Sequence, residues 1–355
     1  MIQSKRIIIG TLTFLALLLV LGSTFLHRNG KLRTKTKPLT EDEDSAGTQW
    51  YNETSGDTAP SAQLENGVDW SQYAYVQYAT NTPYLCNSVM LFERLHSLDC
   101  KADRLLMHAS EFSPDDDSDE AALLRKARDL YNVILKPIEV QHRPSRDPTW
   151  AESYTKLLAF NQTEYQTVLH LDSDSTVLQN MDELFFIAPA WVAMPRAYWM
   201  GFEDRILSSQ LLLLKPSKYE FERVMQAIES AGDNDYDMDI LNNLYKDSGT
   251  ILPHKPYDLL TGEFRGDEHK KYLGDERTKW DPDKMYKDAK FLHFSDWPVP
   301  KPWIATSAQI DQDKPACVED PITHQSNCRN QEIWVGVYAD FRKRRKEVCG
   351  IDVGE

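Results

Sequence analysis

The sequence is short of cysteine, of positive charge and of glycine-rich signatures, and each shortage removes a class of function. Its 5 cysteines in 355 residues include no C-x-x-C pair. A zinc ribbon or a thioredoxin-type redox motif is therefore excluded. No G-x-G-x-x-G follows the first predicted strand, and no G-x-x-x-x-G-K-[ST] occurs. The dinucleotide fingerprint and the P-loop drop out with them. The 40 Lys and Arg face 55 Asp and Glu, for a net charge of -15. Such a chain repels a phosphate backbone, so no nucleic-acid partner is expected. The same balance suits a protein that needs a cation to approach an anionic substrate. Basic residues do cluster from Arg342 to Lys346, where the helical pattern reads as a solvated face.

The few cysteines leave alternatives open. Cys317 and Cys328 flank a loop-like stretch and are a candidate disulfide in an oxidising compartment. Cys349 is an alternative partner for either. Cys86 lies in an apolar helical pattern and reads as a buried thiol. The odd count leaves at least one cysteine unpaired within the monomer.

What the chain does have is a long apolar run. Ile7 to Leu26 carries no charge, with Lys5 and Arg6 before it and His27 and Arg28 after it. About 20 apolar residues cross a bilayer core. No small-x-small cleavage site follows, so an uncleaved anchor is expected rather than a signal peptide. Arg28, Lys31, Arg33, Lys35 and Lys37 outnumber the basic residues before the run, which by charge alone favours a cytoplasmic C-terminal side. The sequons Asn52-Glu-Thr54 and Asn161-Gln-Thr163 favour a lumenal one. Residues 27–68 form a stem. From Pro38 to Gly67 it is rich in Thr, Glu, Asp, Ser and Gly, and it lacks the apolar surface to offset its ordering entropy.

The globular part starts near Trp70. Tyr73 to Ala79 reads as a strand and Tyr84 to Leu98 as a helix, with Pro83 suited to its first turn. Strands are expected at Asp103–His108, Val133–Val140, Thr167–Leu171, Trp191–Met194 and Ser209–Leu214. Helices are expected at Asp119–Tyr131, Pro148–Phe160, Glu220–Ala231, Tyr236–Tyr245 and Asn330–Val348. Asp115 to Asp119 reads as a solvated acidic run leading into its helix. This alternation predicts an α/β fold with a mostly parallel sheet.

The stretch Val168 to Thr176, Val-Leu-His-Leu-Asp-Ser-Asp-Ser-Thr, organises the rest. An apolar strand ends in two carboxylates, Asp172 and Asp174, at the sheet edge where α/β proteins bind ligands. Both can reach one divalent cation, and oxygen ligands suit Mg²⁺, Mn²⁺ or Ca²⁺. Further on, Phe291-Leu-His293-Phe294 leads into Trp297-Pro-Val-Pro-Lys301-Pro-Trp303. Alone, His293 would read as a core histidine and Asp237 and Asp239 as dipole-favoured acids of a first helical turn.

Together these motifs resemble glycosyltransferase family eight, the glycogenin-like retaining transferases, and more narrowly its fungal N-acetylglucosaminyltransferase-type members. The resemblance covers Tyr73 to Trp303. It rests on Asp172-Ser173-Asp174 with Asp182-Glu-Leu-Phe185 after it, on Phe291 to Phe294, on Lys301-Pro-Trp303, on Thr80-Asn81-x-x-Tyr84, and on Tyr154-Thr-Lys156-Leu157. It implies a Rossmann-like GT-A fold, one mixed sheet flanked by helices. It also implies a metal site of Asp172, Asp174 and His293, holding Mn²⁺ with Mg²⁺ as the alternative. Thr80, Asn81, Tyr84, Lys156, Ser173 and Lys301 join the two Asp residues in holding a UDP-sugar. Asp237, with Asp239 beside it, becomes the candidate for stabilising the cationic sugar, and a glycan hydroxyl the acceptor. The implied organisation is a type II Golgi membrane protein: tail 1–6, anchor 7–26, stem 27–68, a lumenal catalytic domain 69–305 and an extension 306–355.

The sequence departs from the family pattern around the sugar. Met238 stands in place of Gln, Ser208-Ser209-Gln210 in place of Asn-Ser-Gly, and Asp296 in place of Gly. Two other readings compete. Asp172-Ser-Asp-Ser-Thr176 also resembles the D-x-D-x-[TV] motif of haloacid-dehalogenase-type phosphatases, with Asp172 as nucleophile. That motif follows the first strand of its domain, whereas three strand–helix units precede it here. A non-catalytic anchored glycan-binding module would fit the loss of Gln at Met238 and would bind without turnover.

Overall fold

A computed structural model describes residues 67–142, 152–187, 190–201, 205–232, 235–319 and 324–351. The apolar run 7–26, the tail, nearly all of the stem and the Asn52 sequon lie outside the described residues. Among the described residues no helix is long and apolar enough to cross a membrane. Asn161 of the second sequon is exposed.

The main sheet has seven strands. They are β1 (Tyr73–Ala79), β2 (Asp103–Ala109), β3 (Val133–Ile138), β4 (Thr167–Leu171), β6 (Val192–Pro195), β7 (Leu211–Leu214) and β8 (Thr250–Leu252). Their order is β3-β2-β1-β4-β7-β6-β8. The first four pair in parallel, and β7 then runs antiparallel to both β4 and β6. β4 and β7 are buried along their whole length. Both faces of the sheet are covered, which is why these strands read as continuous apolar runs rather than alternating ones. At the edge, β3 tolerates Pro137, whose missing N–H needs no neighbour there.

Sequence chemistry sets the helix boundaries. In α1 (Thr82–Ser97), Asn81 caps the start by accepting from the Tyr84 N–H at 3.2 Å, and Pro83 occupies the first turn. Ser118 caps α2 (Asp119–Tyr131) in the same way, so the acidic run before it serves the helix start. α3 spans Lys218–Glu229 and α4 spans Asp237–Tyr245. The stretch expected as a helix at Pro148–Phe160 is a 3₁₀ segment, Ser153–Asn161, in its described part.

These elements form two apolar clusters, one on each face of the sheet. One gathers α1 and α2 with residues of the C-terminal half. The other gathers the 3₁₀ segment, α3 and α4.

Three expectations are corrected. The sheet is not single: β5 (Ser175–Val177), β9 (Leu259–Leu260) and β10 (Phe291–His293) form a second, three-stranded sheet. Cys86 is not a thiol but pairs with Cys349, with Cα atoms 5.8 Å apart; Cys317 pairs with Cys328. Cys100 is the free, buried cysteine among the described residues. Lastly, Arg342 to Lys346 is not simply a solvated face. Arg345 is buried in the C-terminal helix (Arg329–Cys349), donating to the side chain of Asn87 and to the Pro83 carbonyl at 3.1 Å. Arg344 reaches Glu93 on α1 at 2.5 Å.

Candidate active site

The end of β4 delivers the carboxylates. Burial alternates past it: Ser173 and Ser175 turn inward, while Asp172 and Asp174 keep about a fifth of their side chains exposed. Ser173, expected at the nucleotide sugar, is 8% exposed. The second sheet brings the histidine. β10 runs antiparallel to β5, with His293 opposite Ser175, and the Phe294 N–H donates to the Asp174 carbonyl at 2.9 Å. This ladder closes a separation of more than a hundred residues. The His293 Nε2 lies 2.9 Å from Asp174 Oδ1 and 3.9 Å from Asp172 Oδ2. One ligand atom from each of Asp172, Asp174 and His293 falls within 4.8 Å of the others.

Two lysines flank this triangle. Lys301 Nζ sits 2.8 Å from Asp174 Oδ2 and also donates to the Phe294 carbonyl. Lys156, from the 3₁₀ segment, lies between two carboxylates, 2.7 Å from Asp172 Oδ1 and 2.6 Å from Asp237 Oδ2. Ser209 completes the group by donating its hydroxyl to Asp237 at 2.8 Å. Three carboxylates and two ammonium groups meet here; burial pushes the Asp172 carboxyl up to about 7 against the pull of Lys156, and a bound cation would favour its ionised form.

Burial keeps His293 below the ordinary imidazole range despite the pull of Asp174, the direction that suits a metal ligand. For Asp174, burial acts upward, but His293 and Lys301 hold the carboxyl well below the usual range. Burial would strip the proton from Lys156, and Asp172 and Asp237 more than reverse it. The donor set, two carboxylates and one imidazole, fits Mn²⁺ better than Mg²⁺, which takes oxygen ligands and keeps its waters.

The other expected residues fall into two groups. Asn81 caps α1, Thr80 stands beside it, and Tyr84 meets Trp303 edge to face at 5.7 Å. The nucleotide turn and the Lys-Pro-Trp motif are therefore in contact. Asp239 is elsewhere: its carboxylate accepts from the Tyr236 N–H at 2.9 Å and closes the start of α4. The dipole and cap reading explains it, and it does not join Asp237. Asp296 likewise turns into the fold. It is 5% exposed and accepts from Trp334 Nε1 at 3.0 Å, from the Tyr338 hydroxyl at 2.8 Å and from Thr261.

Sequence reasoning missed two buried groups. His170, on β4, has both ring nitrogens without a hydrogen-bond partner and stacks on Tyr78 at 5.6 Å. Burial and then Lys156 keep it neutral. Asp258 is fully buried just before β9, within the field of Asp172. His170 lay within the organising motif but carried no signal of its own, and Asp258 lay in a stretch without one.

The sheet order, with Asp172, Asp174 and His293 gathered at the end of β4, is that of a GT-A-like fold. Among solved structures, the WbbM bifunctional glycosyltransferase shares this fold, with a TM-score of 0.51 over 79% of this chain and 53% of its own, at 14% identity. No family model matches the sequence. A protein of Gibberella zeae named Glucose N-acetyltransferase 1 is 55% identical over 289 residues, 79% of this chain and 63% of its own length. One of Aspergillus fumigatus with the same name is 44% identical over 319 residues, 84% of this chain and 83% of its own. The chain belongs to this fungal family of glycosyltransferases, although it spans less than two thirds of the Gibberella relative.

Proposed function

We propose that the chain is a metal-dependent N-acetylglucosaminyltransferase that moves the sugar from a UDP donor to a glycan hydroxyl with retention at the anomeric carbon. The relatives' name, which couples glucose to an N-acetyl group, supports the sugar. The observation that carries the chemistry is the convergence of Asp172, Asp174 and His293 from two sheets, with Lys301 and Lys156 beside them. A metal held there supplies positive charge to the diphosphate leaving group. Lys301, at the rim, adds a second positive charge where the diphosphate would lie. Lys156 is too enclosed to act alone; it ties Asp172 to Asp237 and so fixes the distance between metal ligand and sugar-stabilising carboxylate. Asp237 would then be the carboxylate that stabilises the cationic sugar as the nucleotide departs. Anchorage of this domain in the Golgi lumen through residues 7–26 belongs to the same proposal.

The phosphatase reading gains no support. The motif strand is the fourth of its sheet and borders antiparallel β7, and His293 has no place in that chemistry.

The test is nucleotide release from a panel of UDP-sugars by the full chain in detergent, with Mn²⁺ and with chelator. Release from UDP-N-acetylglucosamine is expected with Mn²⁺ alone. His293→Ala and Asp172→Ala should each reduce it by about a hundredfold or more. Release that survives both chelator and His293→Ala would end the reading.

A further inference from the structure

The segment joining His293 to Lys301 holds the most exposed large apolar side chain among the described residues. Trp297 is 92% exposed, and Ile304, a little further on, is 63% exposed. Loops commonly expose an indole because they are loose, but this one is tied down on both sides. Immediately before it, Asp296 is buried against Trp334, Tyr338 and Thr261. Its carbonyl accepts from the Val299 N–H at 2.9 Å and from Arg265 at 3.1 Å. After it, Val299 and Pro302 are buried, and Pro298, Pro300 and Pro302 each fix a backbone torsion.

The chain therefore holds an indole in solvent on a stiff support. An aromatic side chain carries about 150–250 Å² of surface that gains from being hidden from water. That surface is not used by the fold. It is pre-organised, so a ligand meeting it loses little entropy in ordering it. Its position names the ligand. Trp297 stands midway between His293 and Lys301, four residues from each, hence within about 14 Å of both along the chain. A second substrate must enter from solvent to meet a donor held at those residues.

We propose that Trp297 is the acceptor platform, stacking its indole on the C–H face of a neutral pyranose. The proposal rests on the transferase reading above. A pyranose presents a face of C–H groups and a rim of hydroxyls, and the positive edges of its C–H bonds suit the negative face of the ring. Neutral acceptors fit a chain of net charge -15. The same charge disfavours an anionic membrane surface as occupant of the exposed indole.

Trp297→Ala and Trp297→Phe in the full chain, in detergent, test this with UDP-N-acetylglucosamine, Mn²⁺ and methyl glycosides of mannose, galactose and glucose. Trp297→Ala should raise the acceptor KM by about tenfold or more, and Trp297→Phe by about threefold or less. Donor KM and acceptor-independent nucleotide release should stay within about twofold. Saturation-transfer spectra of the glycosides, recorded without donor, should lose their ring-proton signal in Trp297→Ala only. An unchanged acceptor KM overturns the proposal, as does a donor KM that rises in parallel. So does an effect seen in phosphatidylcholine vesicles but not in detergent, which would give the indole to the bilayer. If the wild type releases no nucleotide from any donor, the transferase reading falls and the spectra decide alone. A glycoside signal lost in Trp297→Ala then upholds the platform, and a retained one removes it.

Discussion

Asp258 is the residue at which stability and pH meet. It is fully buried, and its carboxylate is short of hydrogen-bond donors. Burial pushes its carboxyl up to about 8, with the Ser208 hydroxyl pulling the other way and the Asp172 charge adding to the rise. A folded-state value above the unfolded one means that the native protein binds the extra proton. Its stabilisation is full below the unfolded value near 3.8 and is lost as pH rises towards 8. Each pKa unit corresponds to about 1.4 kcal/mol. Asp258→Asn keeps the shape without the titration. Its melting temperature should match the wild type near pH 4 and exceed it by several degrees at pH 8.5, as read by thermal melts across that range. A parallel pH dependence in the two proteins would show that Asp258 is not the titrating group. Residues of this kind were not legible in the sequence. The convergence of Asp172, Asp174, His293 and Lys301 was, because the motifs of the resemblance carry those residue types at set spacing. Asp258 becomes special only through what surrounds it in space. The same holds for Asp239 and Asp296, where a carboxylate near the motifs was expected at the sugar and instead closes a helix or a loop. One acid looks like another until its donors are known.

At the scale of elements, periodicity gave the helices and the buried strands, since α1, α2, α3 and β4 carry their pattern within a dozen residues or so. It could not give β9 or β10. Runs of two or three residues have no period, and what makes them strands is a ladder to distant partners. The contact between α1 and the C-terminal helix was invisible for the same reason. It consists of the Arg345–Asn87 bond, the Arg344–Glu93 pair and the Cys86–Cys349 disulfide, all between residues far apart in sequence. The disulfide joins residues 263 positions apart, so its loss frees a long loop in the unfolded chain. Replacing both cysteines by serine should cost about 2–4 kcal/mol and lower the melting temperature by roughly 5–10 °C. Metal-dependent nucleotide release at 25 °C should persist, because none of the contacts of Asp172, Asp174 or His293 runs to Cys86 or Cys349. An unchanged melting curve under non-reducing conditions would mean that the pair is not joined.

For the whole molecule, the decisive fact is that the C-terminal helix packs into the same core as the sheet and its helices rather than following it. Read from the sequence, residues after Trp303 form an extension that caps the domain. In the structure, Ile333, Trp334, Val337, Tyr338, Phe341 and Val348 are buried in the same apolar cluster as α1 and α2. Burial of such side chains contributes about 1.5–3 kcal/mol each before ordering costs, so six of them rival the 5–15 kcal/mol that typically separates a folded domain from its unfolded chain. Trp334 and Tyr338 also supply two of the hydrogen bonds that hold Asp296. Their removal would leave a buried carboxylate short of donors, a cost of about 1–3 kcal/mol or more, at the base of the loop that carries Trp297 and Lys301. A chain ended at Asp313 should therefore fail to fold, whereas a dispensable cap would leave a soluble, cooperatively melting domain. Circular dichroism and thermal melts of the truncated chain separate these outcomes. Trp334→Phe reads the second effect on its own: it keeps the apolar bulk and removes one donor to Asp296. Its melting temperature should fall by a few degrees. A loop loosened at Asp296 should also weaken the hold of Lys301 on the donor, so donor KM should rise in Trp334→Phe while the apolar core stays filled.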